Sequence, residues 1–320
     1  MNHRSLVIVF VILLILVGGI FVMRYMNESH IATTENNSKE YKEANLFDLE
    51  KQTVLLNSGY EMPIIGLGTW TLTGDTVENS VYSALKCGIR LIDTAKYYGN
   101  EKEVGNAIRR AIDDGIVTRD EVFITTKIVP YGYSNYDQAI EESNHALGLD
   151  YIDLMLIHQQ GSDEKVLYQA IERAIDKGIV KSLGISNYYT KEDFDKITEN
   201  VNIMPAVVQN ENHIYYQNTD FQKYVSQYGT IVESYYPFGG RGHTKDSLNN
   251  DTILRIAQSH HKETSQVILR WHLQAGYIAI PGSSNPDHIA ENYDIFDFEL
   301  TDEEMQEIKM LNTGIRYESW

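Results

Sequence analysis

Residues 76–95 read TVENSVYSALKCGIRLIDTA, and this one stretch contains both periods from which the fold is built. Val77, Val81, Ala84 and Leu85 recur at i, i+4, i+7 and i+8, one stripe of a helix that Gly88 can stop. The next residues, IRLIDTA at 89–95, form a short apolar run of strand length. A helix feeding a buried strand is half of a βαβ unit.

The alternation repeats in both directions. Strand-like runs occur as IIGLG at 64–68, VFITTK at 122–127, YIDLMLI at 151–157, VKSLGIS at 180–186, AVVQNEN at 206–212, TIVESYYP at 230–237 and YIAIPGS at 277–283, eight when IRLIDTA is included. Nearly continuous Val, Ile and Leu, as in YIDLMLI, belongs to strands covered on both faces by helices. Eight strand–helix units over roughly 250 residues predict an α/β fold of the closed (β/α)8 barrel kind, because right-handed crossovers make closure economical. An open doubly wound sheet is the alternative. It lacks its phosphate-binding signature, since Gly66-Leu67-Gly68 is followed by Thr69-Trp70-Thr71 and no G-x-G-x-x-G follows any strand. Ahead of the barrel, residues 53–68 hold two short strands about Asn57-Ser58-Gly59, a hairpin expected to plug the barrel's bottom. Two extra helical stretches, 253–260 and 264–276, precede the last strand.

Composition narrows the function. The 320 residues carry 27 Lys and Arg against 45 Asp and Glu, a formal net charge of −18, which repels phosphate backbones and argues against a nucleic-acid partner. Cys87 is the only cysteine, so an internal disulfide, a zinc ribbon and a thiolate-held iron–sulfur cluster are excluded. His260 and His261 are adjacent on a helix, about 100° apart, and no metal site is predicted. Residues 6–23, LVIVFVILLILVGGIFVM, contain no charge and lie between Arg4 and Arg24; as a helix they span roughly 27 Å, close to a hydrocarbon core. The run is longer than a signal-peptide core and lacks a small-x-small cleavage site, so it reads as an uncleaved membrane anchor. The expected organisation is an anchor at 1–26, in contact with lipid through 6–23, a polar tether at 27–50, and the barrel at 51–320. The nearby positive charges do not fix which side of the membrane the barrel faces, and no protein partner is indicated.

In a barrel of this kind, chemistry sits at the carboxyl ends of the strands. Polar residues appear there where an apolar core should continue: Asp93, Lys127, His158, Ser186 and Asn187, Gln209, and Tyr235. Asp93, Tyr98, Lys127 and His158 make chemical sense together. A phenol, with a reference pKa of about 10, needs help to move a proton near neutrality, and an ammonium beside it would favour the phenolate. Asp93 would hold Lys127 charged, and His158 would orient a carbonyl oxygen. Such a cluster would protonate that oxygen as hydride reaches the carbon.

The sequence resembles the aldo-keto reductases over residues 51–313, and among them the bacterial members related to 2,5-diketo-gluconate reductases. The matching segments are GLGTW at 66–70, LIDTAKYYGNEKEVGNAI at 91–108, VFITTK at 122–127, YIDLMLIH at 151–158, GISN at 184–187, VVQNE at 207–211, YYPFG at 235–239, ILRWHLQAG at 268–276 and IPGSSNPDHIAENYDIFDFELT at 280–301. The resemblance implies an NAD(P)H-dependent reductase of small aldehydes and ketones whose catalytic tetrad is Asp93, Tyr98, Lys127 and His158. It implies that Ser186, Asn187 and Gln209 hold the nicotinamide carboxamide and that Tyr235 stacks on its ring. Phe238 and Gly239 would begin the loop over the pyrophosphate, and Ser283, Ser284, His288, Glu291 and Asn292 would hold the adenosine end. Trp70 matches a substrate-pocket aromatic, and Gln159 supplies a polar wall suited to a hydroxylated substrate.

The family implies NADP(H), yet the Lys and Arg that clamp the 2′-phosphate are replaced by Gly282 and His288, so NAD(H) is also admitted; Arg241 or Lys245 could substitute. After Asn312 the tail TGIRYESW is too short to drape over the barrel mouth, leaving substrate selection to Trp70, the segment 131–136 and Gln159. Two other classes stand beside the reductase: a membrane-tethered cofactor-binding redox sensor with little turnover, and a metal hydrolase, for which no strand ends in His-x-His.

Overall fold

The computed structural model describes residues 47–318. Eight parallel strands form one sheet in the order of the chain: β4 (Gly66–Gly68), β5 (Leu91–Asp93), β6 (Phe123–Ile128), β7 (Ile152–Ile157), β8 (Val180–Ser186), β9 (Val207–Glu211), β10 (Ile231–Tyr235) and β11 (Tyr277–Ala279). The two end strands meet through the parallel bridge Ile65–Ala279 and the bonds from Ala279 N to Ile64 O at 3.1 Å and from Gly68 N to Pro281 O at 3.1 Å. The sheet therefore closes, and the strands lie within their predicted runs except β6, which continues one residue further, to Ile128. Closure is tight at Gly68, where a Cβ would come within 2.8 Å of the Ile280 carbonyl oxygen.

The first helix, α1 (Gly74–Cys87), buries Val77, Val81, Ala84 and Leu85 and stops at Gly88, whose φ of 114° and N–H bonds to Ala84 O and Leu85 O close the last turn. Then come α2 (Glu101–Asp113), α3 (Tyr136–Leu147), α4 (Glu164–Asp176), α5 (Lys191–Thr198) and α6 (Thr219–Ser226), one after each strand. Three helices, α7 (Thr244–Leu248), α8 (Asp251–His260) and α9 (Thr264–Gln274), separate β10 from β11, and α10 (Pro286–Tyr293) and α11 (Asp302–Lys309) complete the described chain. The helix ends follow local chemistry: Asn135, Asn285 and Thr301 each accept a backbone N–H at the start of α3, α10 and α11.

Strands β6 and β7 are buried at every residue. In β7, Ile152, Leu154, Met155, Leu156 and Ile157 have no exposed surface, each contributing about 1.5–3 kcal/mol. In β6 the same burial falls on Thr125, Thr126 and Lys127, which is costly unless each is partnered.

The hairpin forms as expected, with β2 (Thr53–Leu55) against β3 (Glu61–Pro63) and Gly59 at φ 85°. Val54, Leu56, Met62 and Ile64 pack with Leu91, Phe123, Leu154 and Val207 at the strand beginnings, so the hairpin seals the barrel floor. One boundary differs. Phe47–Asp48, inside the stretch 27–50 read as tether, forms strand β1 paired with Thr53 and Val54. Asp48 closes the turn by accepting the N–H groups of Glu50 and Lys51, and Phe47 packs on the floor, contacts that the polar composition of the preceding residues conceals. The apolar run 6–23 and the tether residues 27–46 lie outside the described residues; among the described residues no helix is long and apolar enough to cross a membrane.

The helix ring leaves no slack at α2 against α3. A Cβ at Gly105 would overlap the Leu147 carbonyl, a backbone group that cannot rotate away. Gly105→Ala is expected to destabilise the protein by about 3 kcal/mol, read as a lower urea midpoint; an unchanged midpoint would show that the two helices can separate freely.

Candidate active site

Three strand ends and one turn converge at the open rim. Asp93 is the last residue of β5, Lys127 the next to last of β6, and His158 the residue after β7, its N–H bonded to Ile128 O at 2.9 Å. Tyr98 sits on a 3₁₀ turn (Lys96–Tyr98) that follows β5 and is closed by Gly99 at φ 68°. An ammonium has three protons, and Lys127 Nζ directs one to Asp93 Oδ1 at 2.6 Å, one to Thr94 O at 2.9 Å and one to the Tyr98 hydroxyl at 3.1 Å. The Tyr98 oxygen is thus an acceptor toward Lys127, which leaves its own proton for the cavity it lines. The His158 ring packs edge-on to Tyr98 with centroids 5.5 Å apart.

Burial decides the protonation states. It works against the Lys127 ammonium, but the Asp93 carboxylate and the Tyr98 hydroxyl outweigh it, and the Lys127 pKa is raised. The expected drift of Tyr98 toward phenolate is corrected: burial is the larger influence, the Lys127 charge only partly opposes it, and the phenol is pushed up to about 12. Tyr98 is a protonated phenol throughout the neutral range. Burial, and then the Lys127 charge, push His158 down to about 3, so its imidazole is neutral.

These groups open into a cavity of about 740 Å³, a size that suits a bound small molecule. Ser186, Asn187, Gln209 and Tyr235 line it beside Asp93. Asn187 is held at φ 65°, a conformation rare for a residue with a side chain, while its Nδ2 donates to His158 O at 2.9 Å and its Oδ1 accepts the Tyr235 hydroxyl at 2.7 Å. Gln209 Nε2 donates to Asp93 Oδ2 at 2.8 Å and to Glu233 Oε2 at 2.7 Å. The set of one hydroxyl and two amides beside an aromatic ring matches the needs of a nicotinamide carboxamide.

The other candidates divide. Phe238, Ser283 and Ser284 line the cavity, as do Trp70 and Gln159. Gly239 backs onto Ser247, His243 and Tyr317. His288, Glu291 and Asn292 lie on α10 beyond the lining, with the Glu291 carboxylate taking the Ser265 hydroxyl at 2.7 Å. From the segment 131–136, Tyr131 faces the cavity and accepts Gln159 Nε2 at 3.2 Å, whereas Tyr136 turns into the helix layer and bonds Asp163. Gln160, the next residue, is not among the lining residues and donates to Asn187 O at 3.3 Å. Arg241 reaches the cavity with its guanidinium 5.6 Å from the Trp70 ring; Lys245 is not among the lining residues.

Three features escaped the sequence reading. Tyr97 stands beside Trp70 at the cavity mouth, ring centroids 6.3 Å apart, because consecutive residues of the tight turn both reach it. Glu233 is fully buried inside the barrel, and the period of two in IVESY, which groups it with Tyr235, would have found it. The tail braces the loop after β10: Tyr317 N and Glu318 N donate to the buried Glu211 carboxylate at 2.6 and 2.9 Å, and the Tyr317 ring stacks between His213 and His243 at 4.8 and 3.7 Å.

Known proteins share this fold. Residues 64–313 match the model of the Aldo/keto reductase family. The NAD(P)H-dependent D-xylose reductase I,II of Candida tropicalis is 36% identical over 304 residues, covering 83% of this chain and 94% of that protein. Among solved structures, an aldo-keto reductase from a Medee basin deep-sea metagenome library superposes with a TM-score of 0.78 at 40% identity, covering 83% of this chain and 97% of the other. The Bombyx mori aldo-keto reductase in complex with NADP gives 0.77 at 33% identity over 82% and 94% of the two chains. With eight strands closed in chain order and a match across most of its length, the chain belongs to the aldo/keto reductase family.

Proposed function

We propose that the protein reduces small aldehydes and ketones to alcohols with a nicotinamide cofactor, and that Tyr98 donates the proton. The observation that carries this reading is the third proton of Lys127, an ammonium without solvent contact, spent on the Tyr98 hydroxyl at 3.1 Å. Reduced nicotinamide, when bound, supplies hydride to the carbonyl carbon. Charge then develops on the carbonyl oxygen, and a donor already in place stabilises it without reorganisation. Tyr98 is that donor: it is protonated at neutral pH, and as its proton leaves, the Lys127 ammonium neutralises the oxygen left behind. His158, neutral and flanking the same corner, can donate to the carbonyl oxygen and fix its direction without competing as an acid. Asp93 holds Lys127 and does not touch the substrate.

Ser186, Asn187 and Gln209 would hold the carboxamide over Tyr235, with Phe238 and Gly239 at the pyrophosphate and Ser283, Ser284, His288, Glu291 and Asn292 toward the adenosine. Gly282 and His288 provide no phosphate clamp, and Arg241 is turned to Trp70, so NADH and NADPH should both serve. Trp70, Tyr97, Tyr131 and Gln159 give the mouth aromatic faces edged with hydroxyl and amide groups, which favours a small hydroxylated carbonyl compound; the Candida tropicalis relative is named for D-xylose. Relatives named as reductases support this reading over the redox sensor. We further propose that residues 6–23 hold the barrel at a membrane.

Purified protein should oxidise both reduced cofactors in the presence of small aldehydes. Tyr98→Phe should lower kcat by about 10²–10⁴-fold while cofactor affinity stays near wild type; turnover that survives the change would remove Tyr98 from the acid role. For the anchor, the full chain should sediment with membranes after expression and a chain starting at residue 46 should not. Equal partitioning of the two would dismiss it.

A further inference from the structure

Glu233 lies fully buried inside the barrel and is not among the residues that line the cavity. On β10 it is paired in register with Gln209 of β9 and Ile278 of β11. Its Oε2 accepts one proton of Gln209 Nε2 at 2.7 Å, while the other goes to Asp93 Oδ2 at 2.8 Å. A side-chain amide turns according to its neighbours, and two carboxyl groups on one side settle the matter. An oxygen turned toward them would face the Asp93 carboxylate and forfeit both bonds that the nitrogen makes. The nitrogen is therefore consumed, and the carbonyl oxygen is the end that Gln209 offers to the cavity.

We propose that Glu233 is a positioning residue for the cofactor: by taking one Gln209 proton it turns the Gln209 oxygen toward the nicotinamide carboxamide, whose NH₂ requires an acceptor. This rests on the reading of Ser186, Asn187 and Gln209 as the carboxamide site. Asp93 alone would leave the second amide proton buried without a partner, a state that favours rotation of the amide. The charged groups acting on Glu233 are Asp93 of β5 and Lys127 of β6; its register partners Gln209 and Ile278 are uncharged. Burial, and then the Asp93 charge, push its carboxyl up to about 8; with Gln209 on Oε2, a carboxyl proton belongs on Oε1, which has no other partner among the described residues.

The test uses the full chain in detergent, titrated at neutral pH with NADH or NADPH and, separately, with ADP-ribose or its 2′-phosphate, which lack the nicotinamide. Glu233→Leu should weaken binding of the reduced cofactor about tenfold, the loss of one well-placed hydrogen bond, and leave ADP-ribose unchanged. Glu233→Gln, whose side-chain oxygen still accepts from Gln209, should bind both as wild type does. Unchanged cofactor affinity in Glu233→Leu, or a parallel loss of both ligands, would overturn the inference. Wild-type protein that binds neither ligand would instead remove the cofactor reading on which it rests.

Discussion

The Lys127 ammonium is buried without solvent contact and must place three protons. Where they go organises this end of the barrel. One fixes the Asp93 carboxylate, one the Thr94 carbonyl, and the third the Tyr98 hydroxyl. The arrangement depends on register, because Asp93 stands opposite Thr125 across the β5–β6 pair, and a slip of one residue would send Lys127 to the helix-facing side of β6. Removing either charge from such a buried pair leaves the other uncompensated, at a cost of about 3–5 kcal/mol. The surrounding apolar layers, Ile124 and Ile128 in β6 and the apolar residues of β7, are what hold the pair in place against that cost.

Desolvation then sets the chemistry more firmly than the ammonium does. It leaves a phenol and an imidazole side by side, both uncharged and both able to donate to one carbonyl oxygen. Deeper in the barrel it raises the carboxyls of both Asp93 and Glu233, along a continuous hydrogen-bonded row from Tyr98 through Lys127, Asp93 and Gln209 to Glu233. Positive φ angles at the rim fall on Thr71, Asn187 and Tyr236, all of which line the cavity, and the Asn187 side chain bonds His158 O and the Tyr235 hydroxyl.

Much of this was legible in the sequence because the informative signals are local. Eight apolar runs, one glycine stop after α1 and an Asn-Ser-Gly turn are statements about neighbours in the chain, and they survive folding unchanged. The polar strand ends were legible for the same reason, since Asp93, Lys127 and His158 interrupt apolar runs. What was not legible depends on depth and on distant partners. The Tyr98 pKa turns on how much water reaches it, which no spacing encodes. Strand β1 shows only when Phe47 finds the barrel floor, and the tail's role only when Tyr317 finds His213 and His243. Glu233 was in principle readable from strand alternation, but a carboxylate in an apolar run looks like a surface residue until its Gln209 partner is known.

The central claim is that a phenol made protonated by burial, and not the neighbouring imidazole, gives up the proton. The pH dependence of carbonyl reduction at saturating cofactor and substrate tests it most directly. With Tyr98 pushed up to about 12 and His158 down to about 3, the rate should show no ionisation between pH 5 and 7. A limb with its midpoint near the ordinary imidazole value of about 6.5, abolished by His158→Gln, would contradict the account and hand the acid role to His158.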